Sequence, residues 1–257
     1  MKGKILVYST FILLLLFLLN FTIFADERTV SFESYILDSF DDDPLSRWIV
    51  RGSDYTMPGF PKVAKVKAWP QALHGKNREE KDYFALGING SFSRKGYNYI
   101  EIVPAREATD KDNEADIIKV DENGKKWVHN PITLKGRARS LDIWVWSANY
   151  NYYLEIQFED YLGIVHTLPL GDLTFNGWKN LSTEIPVSIP QSGPYIPRIK
   201  SLKFIKFILW TTPDEMVSNF YIYLDQTKVL TDLFESRYDG DDLEDPEVLK
   251  EIWGTTE

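Results

Sequence analysis

The chain has 257 residues, no cysteine and a formal net charge of −9 at pH 7. Without cysteine it forms no disulfide and carries neither a catalytic thiol nor a cysteine metal ligand. Its acidity argues against a nucleic-acid partner, because phosphates would be repelled. Aromatic residues make up 14% of the sequence, which favours β-strands.

The first 25 residues have the pattern of a secretory signal peptide. Lys2 and Lys4 give a positive start, residues 5–24 are almost entirely apolar, and Ala25 precedes the polar Asp26. We predict cleavage after Ala25, which leaves an exported chain long enough for one all-β domain, with no stable membrane anchor. The alternative is an uncleaved N-terminal anchor, since the apolar run is nearly long enough to span a bilayer. Either arrangement places the remaining chain outside the cytoplasm.

Runs in which apolar and polar residues alternate follow one another along the rest of the chain. Side chains alternate faces along a strand, so each run predicts a strand with one buried face. Turn residues separate the runs, and residues 160–163 have the composition of a hairpin connection. We therefore predict an all-β fold: a two-layer antiparallel β-sandwich of jelly-roll, galactose-binding-like type, with long loops and a short C-terminal helix or tail. The predicted strands are 97–103, 140–146, 153–160, a run that begins at Gly163, 178–185, 201–210 and 220–230.

Strict alternation also assigns the faces of the two strands nearest the C-terminus. Along residues 220–230 it places Phe220, Ile222 and Leu224 opposite Tyr221, Tyr223 and Asp225. Along residues 201–210 it predicts two faces, with Leu202, Phe204, Lys206 and Ile208 on one and Lys203, Ile205, Phe207 and Leu209 on the other.

Trp144 and Trp146 share one face of their predicted strand, opposite Leu141, Ile143 and Val145. They would form an exposed aromatic surface that stacks on sugar rings or contacts other molecules, or they would fill a core. Because both faces of this strand are apolar, we favour a central strand that is covered on both sides, with the two tryptophans in the core.

Two segments interrupt the strand pattern. Residues 105–130 are charged and almost without hydrophobic period, and we interpret them as a long surface excursion that serves interaction. Residues 239–257 form an acidic tail, in which Asp245 and Pro246 are typical of a helix start. We therefore divide the chain into a signal peptide at 1–25, a β-sandwich domain at 26–238 and the tail at 239–257.

No combination of residues is typical of a catalytic or cofactor-binding site, and we predict a protein that is not an enzyme and needs no cofactor. Glycoside hydrolysis requires two carboxylates on either side of the bond, and the strand acids are better explained as the solvent side of amphipathic strands. The histidines lack the short spacing typical of zinc ligands. The acids considered are Asp142, Glu155, Glu159 and Asp225, and the histidines are His74, His129 and His166.

Calcium is the one metal for which residues of the right type occur. Asp41, Asp42 and Asp43 precede a predicted first strand, Asp225 lies in the last, and the first and last strands of a sandwich can be neighbours. Calcium prefers such carboxylate oxygens together with loop carbonyls. The favoured alternative is an Asp-rich turn that leads into Pro44. The sequence leaves open whether Asp41 and Asp225 bind the ion.

Several segments carry a family resemblance, which runs from about Leu37 to Leu243. They are LDSFDDDPLSRWIV, YNYIEIVP, LDIWVWSANYNYYLEI, EDYLGIVHTLPLGDLTFNGWKNLSTEIP, SLKFIKFILWTTPDE and YLDQTKVLTDLFESRYDGDDL. None is a catalytic motif, but their order, together with the endings DQTKVLTD and YDGDD, is specific. In these segments the chain resembles the spirochaete flagellar filament outer layer proteins, the FlaA sheath family.

The resemblance implies a structural role and supplies no catalytic residue. Proteins of this family cross the inner membrane by a cleaved signal peptide and coat the flagellin core of periplasmic flagella. It therefore implies a periplasmic location, core flagellins and other sheath subunits as partners, and an effect on filament stiffness, curvature and motility. On this interpretation we predict that residues 105–130 and 239–257 make contacts. The alternative is a secreted carbohydrate-binding β-sandwich module.

Overall fold

The computed structural model describes residues 31–75, 82–121, 123–193, 200–233, 250 and 252–254. They include the short helix α1 (Gln71–His74), helical residues at 250 and 252–253, and two 3-10 turns, Pro44–Ser46 and Glu114–Asp116. The strands are β1 (Phe32–Asp38), β2 (Trp48–Gly52), β3 (Lys62–Val66), β4 (Ala85–Gly90), β5 (Tyr99–Glu107), β6 (Ile117–Val120), β7 (Lys126–His129), β8 (Ile132–Thr133), β9 (Arg137–Ala148), β10 (Tyr153–Glu159), β11 (Val165–Asp172), β12 (Asn176–Glu184), β13 (Lys203–Trp210) and β14 (Phe220–Asp232).

The strands form two antiparallel sheets. Sheet A has the order β12-β9-β14-β4-β3, with β1 paired to β14 beside β4. Sheet B has the order β11-β10-β13-β5-β7-β6, with β2 paired to β5 and β8 to β13. The predicted all-β, two-layer antiparallel sandwich is confirmed.

The core lies between the two sheets and is built by alternation. In β9, Leu141, Ile143 and Val145 are fully buried, while the residues between them are half-buried on the other face. In β10, Ile156 and Phe158 are likewise buried and belong to the same cluster. Removal of this apolar surface from water is the main source of stability in such a sandwich.

Trp48 of β2 belongs to an aromatic cluster in this core and is 2% exposed. Its ring centroid lies 5.5 Å from that of Phe40, 5.9 Å from Phe204 and 6.2 Å from Phe207. Its indole Nε1 donates a hydrogen bond to Asp38 Oδ2 at 2.9 Å, so the polar atom of the ring is satisfied. Asp38 also accepts from the Phe40 N–H at 2.8 Å. The cluster therefore ties the end of β1 to β2 and β13.

The faces predicted for residues 201–210 are wrong. Where β13 pairs with β10, Ile205 is an extra residue, a β-bulge, which shifts the phase of alternation for every residue after it. Lys206 points away from the core, where it pairs with Glu101. The core takes residues from both predicted faces: Leu202, Phe204, Phe207 and Leu209.

β14 spans 13 residues and changes partner along one edge. Residues 220–224 pair with β4, residues 227–232 pair with β1, and β9 pairs along the other edge. The strand that was expected after residues 41–43 is β2, which pairs with β5 in sheet B and is not a neighbour of β14. The neighbour of β14 is β1, which ends before this cluster. The assignment of Phe220, Ile222 and Leu224 to the buried face is confirmed.

Residues 105–130 are not the irregular excursion that the sequence predicted. They contain the end of β5 and the short strands β6 and β7, which pair with each other and extend sheet B. Trp127 packs with Ile49 and Ala105 in a small core of their own. Arg106 forms an ion pair with Asp112 at 2.6 Å and holds the pKa of that carboxyl group well below its usual range. Much of the charge in this segment is therefore paired within it.

The predicted hairpin at residues 160–163 joins β10 to β11, and Asp160 organises it. The Asp160 side chain is fully buried, and its Oδ1 accepts from the N–H groups of Leu162 at 2.8 Å and Ile164 at 3.0 Å. Its Oδ2 lies 2.8 Å from His166 Nε2. Burial alone would raise the pKa of Asp160, but the hydrogen bonds from His166 and the two N–H groups lower it.

Acid is expected to weaken this turn. A carboxyl group whose pKa is lower in the folded state stabilises the fold above its unfolded pKa, and that stability is lost as the pH falls through the folded value. At neutral pH, Asp160→Asn should lower the free energy of unfolding by about 1.5–3 kcal/mol, and the variant should lose less stability than wild type below about pH 4. Thermal unfolding across this range measures both effects. The exposed Asp54→Asn variant is the control, and a wild-type acid response in Asp160→Asn would contradict the assignment.

The predictions for the two ends of the chain fall largely outside the described residues. The residues of the predicted signal peptide, 1–25, which would also form the alternative membrane anchor, are not described. The same is true of the predicted helix start at Asp245. Of the tail, residue 250 and residues 252–254 are described, and Ile252 and Trp253 are exposed there. In the described part of the chain, no helix is long and apolar enough to cross a membrane.

Candidate functional site

The outer face of sheet A carries a patch of large aromatic side chains, Trp146, Trp178, Tyr221 and Tyr223, which we call the sheet A patch. Trp146 of β9 stands between Trp178 of β12 and Tyr223 of β14 in the strand register. Its ring lies 6.1 Å from that of Tyr221 and 5.3 Å from that of Tyr223. At Gly87, the next position along this row, a Cβ atom would come within 3.2 Å of the Tyr223 ring. The glycine therefore leaves room for the Tyr223 ring, whose plane makes an angle of 73° with that of Trp146.

The prediction that Trp144 and Trp146 fill the core is wrong. Both are half-buried on the face of β9 that points away from the other sheet. The face of Leu141, Ile143 and Val145 makes the core. On the outer face of a sheet, large aromatic side chains shield one another from water. A strand that is apolar on both faces therefore does not need to be covered by other elements on both sides.

Sheet B carries a second aromatic row on its outer face: Tyr99, Trp210 and Tyr153, which we call the sheet B row. The three residues are direct cross-strand partners on β5, β13 and β10. The Trp210 ring lies 5.2 Å from that of Tyr99 and 6.3 Å from that of Tyr153. Its indole Nε1 donates to Glu155 Oε2 at 2.7 Å. Aromatic planes beside a carboxylate form a surface that can stack on, and accept hydrogen bonds from, a bound molecule.

A charged group lies on β2 and on two strands of the sheet B row, β5 and β13. Glu101 of β5 accepts from Arg51 of β2 at 2.5 Å and pairs with Lys206 of β13 on the other side. Burial alone would raise the pKa of Glu101, but the hydrogen bonds and charges of Lys206 and Arg51 lower it. Since the two cations share one carboxylate, this group links three strands and keeps a single net positive charge.

Three of the four strand acids have a structural partner. Glu155 accepts from Trp210, Glu159 pairs with Lys203 at 2.9 Å and Asp142 accepts from Asn180 at 2.7 Å. Glu155 and Glu159 lie in sheet B, whereas Asp142 and Asp225 lie in sheet A. The acids of the two sheets therefore do not form a facing pair across a groove.

The three histidines have three different surroundings. His74 stacks on Tyr83 with ring centroids 3.9 Å apart, and His166 binds Asp160. His129 Nε2 lies 3.0 Å from the Ile205 carbonyl oxygen, and burial lowers the pKa of His129. Across the described ranges, no three histidine, aspartate or glutamate side chains converge to hold a metal ion.

The acids considered for calcium divide into two groups. Asp43 caps the 3-10 turn by accepting from the Leu45 N–H at 3.3 Å, with Pro44 as the first residue of the turn. This part of the segment is the predicted Asp-rich turn. Asp41 and Asp225 are brought together: Asp225 is 3% exposed, and burial, with the like charge of Asp41, raises its pKa to about 7.

The sequence did not identify Tyr99, Trp178 and Trp210 as members of aromatic surfaces. Each lies near the end of its strand, and in the sequence each is only one more residue of an alternating run. What makes them a surface is the cross-strand register, which pairs Trp210 with both Tyr99 and Tyr153. A single sequence carries the period of a strand but not the register of its neighbours.

Known proteins resemble this chain along most of its length. A family model described as flagellar filament outer layer protein, FlaA, matches residues 58–238. A protein of Brachyspira hyodysenteriae, described as flagellar filament outer layer-like, is 22% identical over 217 residues, which are 83% of this chain and 86% of that protein. The flagellar filament outer layer protein of Borreliella burgdorferi is 29% identical over 127 residues, 46% of this chain and 36% of that protein.

Solved structures with a related arrangement of strands include carbohydrate-binding modules. TmCBM61 in complex with beta-1,4-galactotriose is 13% identical with a TM-score of 0.36, over 76% of this chain and 99% of that one. The family 11 module of Lic26A-Cel5E of Clostridium thermocellum is 11% identical with a TM-score of 0.35, over 77% and 94%. At this similarity the structures carry no inference about what the chain binds. The family match is of a different kind because it extends over most of the chain, which belongs to the flagellar filament outer layer protein (FlaA) family.

Proposed function

We propose that this chain is an exported sheath subunit, many copies of which coat the flagellin core of periplasmic flagella. The observation that carries the proposal is the family match over residues 58–238. An outer layer-like relative that aligns along most of both chains supports it. On this proposal, contacts of the subunits with one another and with the core set the stiffness and curvature of the filament, and thereby motility.

The two aromatic surfaces suit a coat protein. A subunit that lies between a filament core and its neighbours needs broad contacts on more than one side. The sheet A patch and the sheet B row lie on the two outer faces of the sandwich, and aromatic side chains are enriched in protein interfaces. We propose that these two faces make the contacts with the core and with neighbouring subunits.

The hairpin between β10 and β11 offers a further contact. Leu162, Ile164 and Val165 are 61%, 53% and 50% exposed at and beside its tip. β11 is an edge strand of sheet B, with β10 as its strand partner in the described part of the chain. Exposed edge strands favour pairing with another chain. We propose this edge as a site of contact between subunits.

The acidic tail remains a proposed contact element, and residues 105–130 become a weaker one. Ile252 and Trp253 of the tail are 52% and 78% exposed, and apolar groups of this size favour burial against a partner. Three ion pairs within the other segment take up half of its charged residues: Lys125 with Glu107 at 3.0 Å, Lys126 with Glu114 at 2.9 Å, and Arg106 with Asp112. These charges are therefore less available to a partner.

The family and the β-sandwich fold suggest a non-catalytic structural protein. We propose further that the chain catalyses no reaction. The support for this is that strand acids at the outer faces serve as hydrogen-bond and ion-pair partners, as described for Glu155, Glu159 and Asp142.

Imaging of isolated filaments tests the sheath proposal. Filaments from cells that lack this chain should be thinner and differ in curvature from wild-type filaments, and expression of the chain should restore both. A second strain that produces the chain without residues 239–257 tests the tail: decoration with normal curvature would show that the tail is passive. Filaments of unchanged diameter and shape in the strain without the chain would contradict the sheath proposal.

The sheet B row favours one other function, the binding of carbohydrate. Three aromatic rings with a carboxylate at hydrogen-bond distance from the central indole form a platform for a sugar ring. A sugar ring stacks in this way on the flat face of an aromatic side chain. As a second candidate function, we propose binding of a glycan chain along this row.

A glycan-binding screen separates the two functions. A carbohydrate-binding module should bind a defined glycan, and Trp210→Ala should weaken that binding at least about tenfold, because one good contact of about 1.4 kcal/mol is lost. Trp178→Ala on the other sheet is the control and should bind as wild type does. If the wild-type protein binds no glycan in the screen, this second function is excluded and the sheath proposal is unaffected.

A further inference from the structure

The place where β14 changes partner has features that the sheath function does not use. Leu224 pairs with Leu86 of β4, and Thr227 pairs with Asp38 of β1. Between them lie Asp225 and Gln226, and the pairing with β9 is interrupted at the same point by a bulge. Gln226 has a φ of 41°, in the left-handed region that few side chains other than glycine adopt.

Two carboxylates meet at this bulge. Asp225 is 3% exposed, and among the described residues no lysine, arginine or histidine forms an ion pair with it. Asp41 reaches the same point from the turn after β1, because its Oδ1 accepts from the N–H of Phe84 at 3.1 Å. Phe84 lies two residues before Leu86, the β4 partner of Leu224. Asp41 is therefore held beside the bulge by the backbone just before β4.

The bulge also holds two buried oxygen atoms that lack a partner. Gln226 is 8% exposed and Thr227 is fully buried, and neither Gln226 Oε1 nor Thr227 Oγ1 forms a hydrogen bond with any described residue. A buried acceptor without a partner costs on the order of 1–3 kcal/mol, and buried polar atoms in native proteins are nearly always satisfied. Gln226, which directly follows Asp225 in the bulge, thus has a buried amide oxygen without a partner.

We propose that the β14 bulge binds a calcium ion through Asp41, Asp225 and the side-chain oxygen of Gln226, with backbone carbonyls and water completing the coordination. Each of these donors is an oxygen atom, and calcium takes six to eight oxygen ligands from carboxylates, amide oxygens and carbonyls. Two carboxylates are enough to bind the ion, because the Gln226 side-chain oxygen, backbone carbonyls and water supply the remaining ligands. The ion would join β14, β4 and the turn after β1 at the point where backbone pairing is interrupted.

Thermal unfolding of the purified protein tests the site. Calcium at about 100 times its dissociation constant should raise the wild-type midpoint by roughly 5–10 °C over that in a chelator. Asp225→Asn should lose this response while keeping in the chelator a midpoint at or above that of wild type, since it removes a buried charge. The exposed Asp172→Asn variant in β11 is the matched control and should respond as wild type does.

Terbium gives a direct measure of binding that does not depend on stability. Trp144 is the cross-strand partner of Asp225 and lies on the same face, so excitation of tryptophan should sensitise a bound terbium ion. We expect luminescence in wild type and Asp172→Asn, displacement by calcium, and at least a tenfold loss in Asp225→Asn. Equal wild-type midpoints in calcium and chelator without displaceable luminescence would overturn the proposal. A calcium response that Asp225→Asn keeps in full would overturn it too, because the ion would then lie elsewhere.

Discussion

Replacement of Trp48 by alanine is expected to lower the free energy of unfolding by about 3–5 kcal/mol. The side chain is 2% exposed and contacts Phe40, Phe204 and Phe207 with ring centroids 5.5–6.2 Å apart. Its removal leaves a cavity between the sheets and takes the indole donor away from the buried Asp38 carboxylate. Both losses act on the same junction of β1, β2 and β13, which is why we expect the effect to be among the largest of any single substitution.

Chemical unfolding of matched tryptophan variants measures this effect. Trp253→Ala removes the same side chain from a position that is 78% exposed and should change stability by less than about 0.5 kcal/mol. Trp48→Phe keeps an aromatic ring but lacks the N–H group, and should fall between wild type and Trp48→Ala. Similar losses at positions 48 and 253 would show that the described core is wrong.

Gly136→Ala is expected to cost about 2–4 kcal/mol, which is large for the addition of one methyl group. The backbone at Gly136 has a φ of 61°, which disfavours any residue with a Cβ atom. A Cβ atom there would also lie 2.7 Å from the backbone oxygen of Asp232, at the end of β14. Backbone cannot rotate away as a side chain does, so the turn before β9 must shift against the sheet.

Gly163→Ala separates the two causes. Gly163 also has a positive φ, 80°, but a Cβ atom there would have no heavy atom within 4 Å. We expect a loss of about 1–2 kcal/mol from conformation alone. The difference between the two variants, measured by chemical unfolding, is then the cost of the contact with β14. Equal losses would contradict the close approach at Gly136.

The sequence predicted β5 and β9 to β14 because apolar and polar residues alternate along these runs, and it missed β1, β3 and β4. It failed where the period is broken within a strand. At Ile205 one extra residue shifts the phase, so that Phe207 and Leu209 share the core with Phe204. Such a bulge arises from the pairing of β13 with β10, and the sequence of β13 alone does not predict it.

Short strands escaped prediction for a different reason. β6 and β7 have four residues each, too few to show a period among the charges around them. What holds them is the packing of Trp127 against Ile49 and Ala105, which are distant in sequence. Long-range contacts of this kind decide the structure of segments whose local pattern is weak.

The candidate sites were predicted in part. The sequence singled out both Asp41 and Asp225, but the strand that pairs with the last one is β1, before Asp41, and not the strand expected after Asp43. The buried side-chain oxygens of Gln226 and Thr227 that lack a hydrogen-bond partner could be identified only from the structure. A sequence does not show whether a buried polar atom has a partner. Of the sheet A patch, Trp146 was wrongly assigned to the core, since its apolar character alone does not distinguish an inner from an outer face.

Cross-linking of isolated periplasmic flagella tests most directly whether this chain coats the filament. The proposal predicts that lysines on the surface of the sandwich, such as Lys62 and Lys179, become linked to a flagellin of the core and to other outer layer subunits. Recovery of the chain only with the cell envelope, or purified filaments that contain none of it and keep their full diameter, would contradict it.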